Sequence, residues 1–325
     1  MKIRKENTNL VTTQEDKDMT LNEMIKAQKF GVEVEMTNIS RLHAQSVVER
    51  VISQYGRVRT GHRHSYDNHF VIDHKGREWK CESDSSINVT GEGSCEFVTP
   101  PLNYEDIELL QEIIRALRAE GAKPDSSCGI HVHVDGANHN AISLMTLYEF
   151  FIKRQDLFYD AIGISQPRRN RWCKKSNIKV YRECLKSGCV QLSDIRRCWY
   201  SEANDGYCEG ERPDQHYNMT RYHGLNLHAF FSKGTVEFRL FNSTMHAGKI
   251  KAYVQFCLAM SAWAITNSGS RTMYKNIDHY TPQQRLTIME NLMVNRLGLK
   301  GKEFKTCRLH MLANLRKMAS EEAVA

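Results

Sequence analysis

The chain has 325 residues, of which 41% are hydrophobic and 26% charged, and its formal net charge is +7 at pH 7. These values are typical of a globular protein with one large domain or two ordinary ones. No apolar run is long enough to span a bilayer, so we expect no membrane partner. The ten cysteines include no Cys-x-x-Cys pair, so we expect reduced thiols. No apolar segment follows the basic N-terminus, so we expect a cytoplasmic protein.

The first part of the chain predicts a leader, a strand and a helix. Residues 1–27 are mostly polar and indicate a leader that is poorly ordered or at best a short helix. Phe30–Met36 alternates polar and apolar residues with the two-residue period of a strand, which places Glu33 and Glu35 on one face. Ser40 is a suitable N-cap for the helix that follows.

A histidine-containing loop and a hairpin come next. Nothing in the sequence fixes His62, His64 and His69 at the spacing of metal ligands, so we interpret them as loop or surface residues. Asn68–Ile72 and Arg77–Glu82 predict the two strands of a hairpin.

The region after the hairpin carries further acidic side chains. Asp84 precedes a Gly-rich turn, and Glu96 lies in a strand near Cys95–Val98 that ends at a pair of prolines. Tyr104–Glu120 predicts an amphipathic helix.

Cys128–Asp135 predicts the central strand of the molecule. His131 and His133 share one face of it, with branched apolar residues on the other. We interpret Cys128 as a buried thiol and not as a nucleophile, because no histidine is paired with it. Ala141–Tyr159 predicts the next helix.

A basic segment follows, with ten basic and two acidic residues between Arg168 and Arg197. We predict an insertion over about residues 168–220 that forms a lid or funnel for an anionic ligand and stands outside the core. It contains several cysteines, and a zinc site formed by Cys184, Cys189, Cys198 and Cys208 stays open, although their spacing matches no common zinc knuckle.

The late elements complete a sheet. Tyr222–Phe231 and Gly234–Phe241 predict paired strands, and the second places Glu237 and Arg239 on one face. Ala247–Ile265 is apolar nearly all round, which indicates a buried helix.

The predicted elements favour an α+β fold with a largely antiparallel sheet and packed helices, because strands come in pairs and long helices separate the groups. We divide the chain into the leader, a catalytic domain over residues 28–270 and a C-terminal helical segment over residues 271–325. That segment contains helices near Pro282–Asn295 and Lys305–Met318 and is expected to pack on the catalytic domain.

The polar faces of these strands suggest one shared pocket. A single strand with alternating charge is usually a solvated face, but several such strands can line one site. Hard divalent cations prefer carboxylate oxygens, so two or three Mg²⁺ or Mn²⁺ ions could be held by four glutamates. These are Glu33, Glu35, Glu96 and Glu237.

These motifs, and their order along the chain, resemble those of a known group of ligases. Gly129–His133 is similar to the Gly-x-His-x-His strand of glutamine synthetases, Val236–Arg239 to their late Glu-x-Arg strand and Glu33–Glu35 to their early Glu-x-Glu strand. Trp79–Leu102 resembles glutamate–cysteine ligases. The similarity is closest to their short relatives, the amidoligase family, and covers about Phe30–Trp263.

The resemblance implies the curved antiparallel sheet of glutamine synthetase and an ATP-dependent carboxylate–amine ligase that works through an acyl phosphate. The carboxylate would belong to an amino acid, a peptide or a protein side chain. The resemblance adds His131 to the four glutamates as a metal ligand and places His133 at an ATP phosphate. Arg239 would neutralise the transferring phosphoryl group. The remaining candidates are Asp84 and Glu96 as catalytic residues, Asn226 at the nucleotide, and Tyr222.

Two other functions stay open. His-x-His on a strand also occurs in zinc amidohydrolases, although those need a β/α barrel, and regular βα alternation is missing here. The basic segment could bind nucleic acid, because Trp172 and Tyr181 interleave with its basic residues.

Overall fold

The computed structural model describes residues 19–188, 191–201, 204, 212, 214–215, 217–271 and 277–323. Within them, eight strands form one curved, open sheet in which every pair of neighbours is antiparallel, in the order β2-β3-β4-β5-β1-β6-β8-β7. The strands are β1 (Phe30–Thr37), β2 (Arg59–Arg63), β3 (Asn68–Ile72), β4 (Glu78–Glu82), β5 (Ser94–Val98), β6 (Gly129–Asp135), β7 (Leu225–Asn226) and β8 (Thr235–Asn242). The predicted α+β class with an antiparallel sheet is confirmed.

The helices of the described part pack on this sheet and on one another. They are α1 (Leu21–Ala27), α2 (Arg41–Ile52), α3 (Ile107–Ala119), α4 (Ala141–Ile152), α5 (Gln155–Ile162), α6 (Gln166–Arg171), α7 (Ile178–Lys186), α8 (Leu192–Trp199), α9 (His228–Lys233), α10 (Ala247–Thr266), α11 (Pro282–Asn291), α12 (Lys305–Met311) and α13 (Ala313–Glu322). No helix among the described residues is both long and apolar enough to cross a membrane.

The core lies between the apolar face of the central strands and helix α10. Val32, Val34, Ile130 and Val132 are all at most 1% exposed. Helix α10 contacts β1 and β6 and is itself buried over most of its length, as its apolar sequence predicts. The opposite face of β1 and β6 is therefore left for the polar side chains.

One predicted strand is wrong. Tyr222–Phe231 was expected to pair with β8 along its length, but only Leu225 and Asn226 do so. The chain then forms helix α9, because the Asn226 side chain accepts a hydrogen bond from the His228 amide and Gly234, at φ +76°, ends the helix in the left-handed conformation.

Two further predictions need correction. The helix expected over Ala141–Tyr159 is divided into α4 and α5, because Arg154 has φ −132° and ψ 3° and breaks the helical geometry. His62 is exposed, as expected of a surface residue, but it belongs to strand β2 and not to a loop. This edge strand has no buried residue and therefore lacks the apolar alternation that would predict it.

Several residues of the basic segment are buried in the core, whereas the prediction placed the segment outside it. Trp199 is 0% exposed and packs edge-on against the Tyr148 ring, and Cys173 and Ile195 are fully buried. Several of its charges pair locally, as in the contact of Lys175 with Asp156. Cys184 and Cys198 are buried, whereas Cys189 and Cys208 lie outside the described residues.

The two ends of the described chain are helical. Helix α1 begins at a capping box formed by Thr20 and Glu23, buries Met24 and Ile25 and packs on α10. Residues 1–18 of the expected leader lie outside the described residues. At the other end, α12 also packs on α10.

Candidate active site

A row of polar side chains crosses the centre of the sheet, and its members are direct partners on neighbouring strands. In order from β4 to β7 the opposed pairs are Glu82 with Glu96, Glu96 with Glu35, Glu33 with His131, His133 with Glu237, and Glu237 with Asn226. Directly opposed residues have their β-carbons about 4.5–5.5 Å apart. The register thus brings together side chains that are up to about 200 positions apart in the sequence.

Glu33 lies at the middle of this row. Its Oε2 is 2.8 Å from Nδ1 of His131, and its Oε1 is 3.2 Å from Nε2 of His133. Burial alone would raise the pKa of Glu33, but His133, His131 and Lys233 outweigh it and hold the pKa well below its usual range. Glu33 is therefore ionised at neutral pH.

Glu35 is buried on the same strand and holds the start of β6. Its Oε2 accepts a hydrogen bond of 2.6 Å from the Gly129 amide, and its Oε1 lies 3.6 Å from Nε2 of His131. Burial, followed by the charge of Arg239, lowers the pKa of His131. The imidazole is consequently neutral at pH 7, as a metal ligand must be.

A bulge in strand β8 directs Arg239 toward the row. Ile130 pairs with Phe241 and Val132 with Phe238, so two residues of β8 oppose the single residue His131. The Arg239 guanidinium donates a hydrogen bond of 2.5 Å to Oε1 of Glu237. Asn226 donates one of 2.6 Å to the other oxygen of the same carboxylate.

The pKa values of Glu237 and Glu96, two carboxyl groups of the row, are shifted in opposite directions. Burial opposes ionisation of Glu237, but Arg239 and His133 hold its pKa far below the usual value, and Glu237 in turn raises the pKa of Arg239 against the effect of burial. At Glu96, burial together with the charges of Glu33 and Glu35 raises the pKa well above the usual value. Without a cation, the site therefore holds more carboxylates than it can ionise together.

The donor atoms form three overlapping groups, each with its ligand atoms within 4.8 Å of one another. They are Glu33, Glu96 and His131; Glu33, His133 and Glu237; and Glu35, Asp84 and Glu96. Glu33 and Glu96 each belong to two groups. This mostly carboxylate donor set fits hard divalent cations such as Mg²⁺ or Mn²⁺.

A cavity of about 460 Å³ opens over one end of the row. The predicted residues Glu33, Glu35, Asp84, Glu96, His131, Tyr222 and Arg239 line it. A second cavity, of about 420 Å³, opens beside the row and is lined by His133 and Thr235. Glu33 and Lys233 line both cavities, so the two meet at the centre of the row.

Arg168 is a buried cation in the wall of the larger cavity. It is 2% exposed, and its Nη2 donates to the backbone oxygen of Arg239 at 3.2 Å. Among the described residues no carboxylate forms an ion pair with Arg168, and its Nε has no hydrogen-bond partner. A buried unpaired charge is costly, which makes Arg168 a candidate to bind an anion.

Most of the predicted site residues lie together in this region, whereas two further residues, Glu82 and Arg168, were not predicted. Asn226 lies outside the lining of both cavities and contacts Glu237 instead. Glu82, whose pKa is raised by burial, was missed although the alternation in β4 could have identified it. Arg168 had no such signal, because only its burial distinguishes it from the other arginines of the basic segment.

Comparison with known proteins agrees with this geometry. A family model with the description "Putative amidoligase enzyme" matches residues 26–261, which is more than half of the chain. No curated protein sequence matches. The matched region contains every strand of the sheet and every residue of the row. The chain therefore belongs to the amidoligase family, a family of ligase-type enzymes.

Proposed function

We propose that the protein is an ATP-dependent ligase that joins a carboxylate to an amine through an acyl phosphate. Family membership implies a carboxylate and an amine as substrates. The observation that carries the proposal is the arrangement of three ligand groups around Glu33 and Glu96, at the meeting point of two cavities. Phosphoryl transfer between two bound substrates needs charge neutralisation at such a place.

The metal ions of this proposal are two or three Mg²⁺ or Mn²⁺. Their ligands would be Glu33, Glu35, Glu96, His131 and Glu237. When bound, the cations neutralise phosphate oxygens and hold them in line for transfer.

The smaller cavity is assigned to the nucleotide. His133 lines this cavity and can contact a phosphate. Lys233, which lines both cavities, and Arg239, which lines the larger one, add positive charge on the side of the transferring group. Arg239 is held by Glu237, so its planar fork is already oriented for phosphate before the substrates bind. Asn226 would act through Glu237 and not at the nucleotide itself.

The larger cavity is assigned to the acid and the amine. Arg168 would bind an anionic group of the acid substrate. That group would take the place of the carboxylate partner that Arg168 lacks among the described residues. A carboxylate oxygen attacks the γ-phosphorus and ADP leaves; the amine then attacks the acyl carbon, and phosphate leaves with the C–O bonding electrons. Asp84, which groups with Glu35 and Glu96, would accept the proton that the amine loses.

The alternatives receive less support. The sheet of the described part is open and antiparallel, which differs from the β/α barrel that a zinc amidohydrolase of this type needs. The basic segment, as far as it is described, directs Arg168 and Trp172 into the cavity and packs other residues in the core, so nucleic-acid binding is not supported. The buried thiols of the described residues are consistent with a reducing cytoplasm.

A trapping experiment tests the function. ATP, Mg²⁺ and hydroxylamine are incubated with the protein and a panel of amino acids, peptides and dicarboxylic acids, and hydroxamate and nucleotide products are measured by mass. We expect one acid class to give hydroxamate with one ADP per product. Amide hydrolysis that proceeds without ATP would contradict the proposal and favour a hydrolase.

A further inference from the structure

A separate group of metal-ligand side chains lies on the hairpin formed by β2 and β3. His62 and His69 are direct partners on the two strands, and their ring centroids lie 4.4 Å apart. Asp67 lies in the turn between the strands, with its Oδ1 2.9 Å from Nε2 of His62 and 3.3 Å from Nε2 of His69. One donor atom from each of the three residues lies within 4.8 Å of the other two.

The carboxylate of this group is fixed in orientation by a cation on its far side. Arg41 donates from Nε to Oδ2 of Asp67 at 2.6 Å and from Nη1 to the backbone oxygen of Ser94 at 3.0 Å. The Oδ1 atom is thereby directed at the two imidazoles. Hydrogen bonds from Arg41 and His62 lower the pKa of Asp67 to about 2, so the carboxylate is ionised at neutral pH. Such support behind a ligand is what oriented metal sites share.

We propose that His62, Asp67 and His69 form a binding site for a borderline divalent metal ion, with Zn²⁺ as the best match. Two imidazole nitrogens and one carboxylate oxygen are a common zinc donor set, and water completes the tetrahedron. Mg²⁺ prefers an all-oxygen environment. This site therefore selects a different ion from the carboxylate row, which is the polar row across the sheet from Glu82 to Asn226. The sequence hides the site, because residues 62, 67 and 69 have no zinc-motif spacing and meet only through the strand register.

The position of the site gives the metal a structural role at the rim of the larger cavity. Tyr66, which precedes Asp67, lines that cavity, and its backbone oxygen accepts a hydrogen bond of 2.8 Å from the Ser83 amide. Ser83 and Asp84 line the same cavity. An ion that ties the turn to both strands would therefore hold this rim in place.

The test counts zinc in the full-length protein. Wild type, His62→Asn and His69→Asn are loaded with Zn²⁺ in excess Mg²⁺, passed through gel filtration and analysed for metal content. We expect each variant to retain one zinc per chain fewer than wild type. His62 is exposed on the edge strand β2 and His69 is half-buried on the neighbouring strand β3, so the metal-free variants should melt close to the metal-free parent. Cobalt in place of zinc should give the visible absorption of a tetrahedral site in the parent alone.

Two control variants separate this site from other metal binding. His310 also pairs with another histidine, at 4.8 Å between ring centroids with His246, but no described carboxylate completes a ligand group there. His310→Asn should keep the zinc, and so should Glu237→Gln, which removes a ligand of the carboxylate row. Zinc content unchanged in His62→Asn, or lost only in Glu237→Gln, would overturn the proposal.

Hydrogen exchange supplies a readout that is independent of catalysis. Zinc should slow exchange of the Ser83 amide by about 10-fold or more in the parent and leave it unchanged in His69→Asn, since local opening becomes costlier when the turn is held. Equal exchange with and without zinc in the parent would contradict the structural role.

Discussion

The guanidinium of Arg168 occupies the space that a side chain on Gly129 would need. A β-carbon built on Gly129 would lie 2.2 Å from Nη2 and 2.5 Å from Cζ of Arg168. The glycine that begins the Gly-Ile-His-Val-His strand is thus required by a buried arginine some forty positions later. This contact explains the glycine by packing, since its φ is not in the left-handed region.

Gly129→Ala should weaken binding of the acid substrate without removing any charge. The added methyl displaces the Arg168 guanidinium, and losing its charged hydrogen bonds should raise KM about 10- to 100-fold with a smaller change in kcat. Arg168→Met, which removes the guanidinium itself, should also raise KM with a smaller change in kcat. Steady-state kinetics with the acid identified by hydroxamate trapping measure both.

Arg182→Met is the matched control, because Arg182 is an exposed arginine of the same basic segment and lines neither of the two cavities. It should leave KM unchanged. Gly129→Ala with the parent's KM would show that Arg168 does not contact the acid.

Glu96→Gln should stabilise the metal-free protein and abolish its function. Burial and neighbouring carboxylates raise the pKa of Glu96 in the folded state, so the folded state binds a proton that the unfolded state has already released at neutral pH. Stability is therefore lost as pH rises from the ordinary pKa of glutamate through the raised one. Glutamine removes this loss, and each unit of pKa shift corresponds to about 1.4 kcal/mol.

Thermal denaturation in chelator at pH 5 and pH 8 measures this effect. The advantage of the variant should be larger at pH 8, whereas its binding of Mg²⁺ with ATP should fall sharply. Glu78→Gln is the control, because Glu78 pairs with Arg63 and its pKa is lowered. A Glu96→Gln protein that melts below the parent at pH 8 would contradict the account.

Glu237→Gln should have the opposite effect on stability. This carboxylate has a lowered pKa and is bonded to Arg239 and Asn226, so its removal leaves a buried guanidinium without its anion. We expect a loss of about 3 kcal/mol in metal-free protein at pH 7, as for broken buried ion pairs, and weaker binding of Mg²⁺ with ATP. Urea denaturation measures the loss of stability. A variant as stable as the parent would show that Glu237 and Arg239 do not form a stabilising ion pair.

Arg239→Lys should slow the chemical step while the local charge is kept. Lysine lacks the planar fork that can contact Glu237 and a phosphate together, so kcat should fall about 10²-fold or more. The melting temperature should change less than in Glu237→Gln. Rapid-quench measurement of ADP formation separates this step from product release, and an unchanged burst rate would remove Arg239 from the transfer.

The alternation of polar and apolar residues was sufficient to predict the central strands. Glu33, His131, His133 and Glu237 all lie on the predicted polar face, because the apolar face of β1, β6 and β8 is buried in the core and register is then strongly constrained. The same rule failed where no face is buried, as in β2. It also failed at Tyr222–Phe231, where alternation is present but a capped helix forms instead.

The features that could not be predicted depend on long-range contacts. The burial of Arg168 follows from the packing of α6 on β8, and the meeting of His62, Asp67 and His69 follows from the pairing of two strands, one of which has no apolar pattern. The pKa values of Glu96 and Glu237 differ in direction because only one of the two faces a guanidinium. Residue type alone does not distinguish such glutamates.

Transfer of oxygen from the acid to phosphate distinguishes an acyl phosphate from other ways of activating the carboxylate. The acid identified by hydroxamate trapping is labelled with ¹⁸O in its carboxylate and turned over with ATP, Mg²⁺ and the amine, and the released phosphate is analysed by mass spectrometry. An acyl phosphate requires that one labelled oxygen leave with each phosphate and that the nucleotide product be unlabelled ADP. Label in AMP, or phosphate without label, would contradict γ-phosphoryl transfer at the carboxylate row.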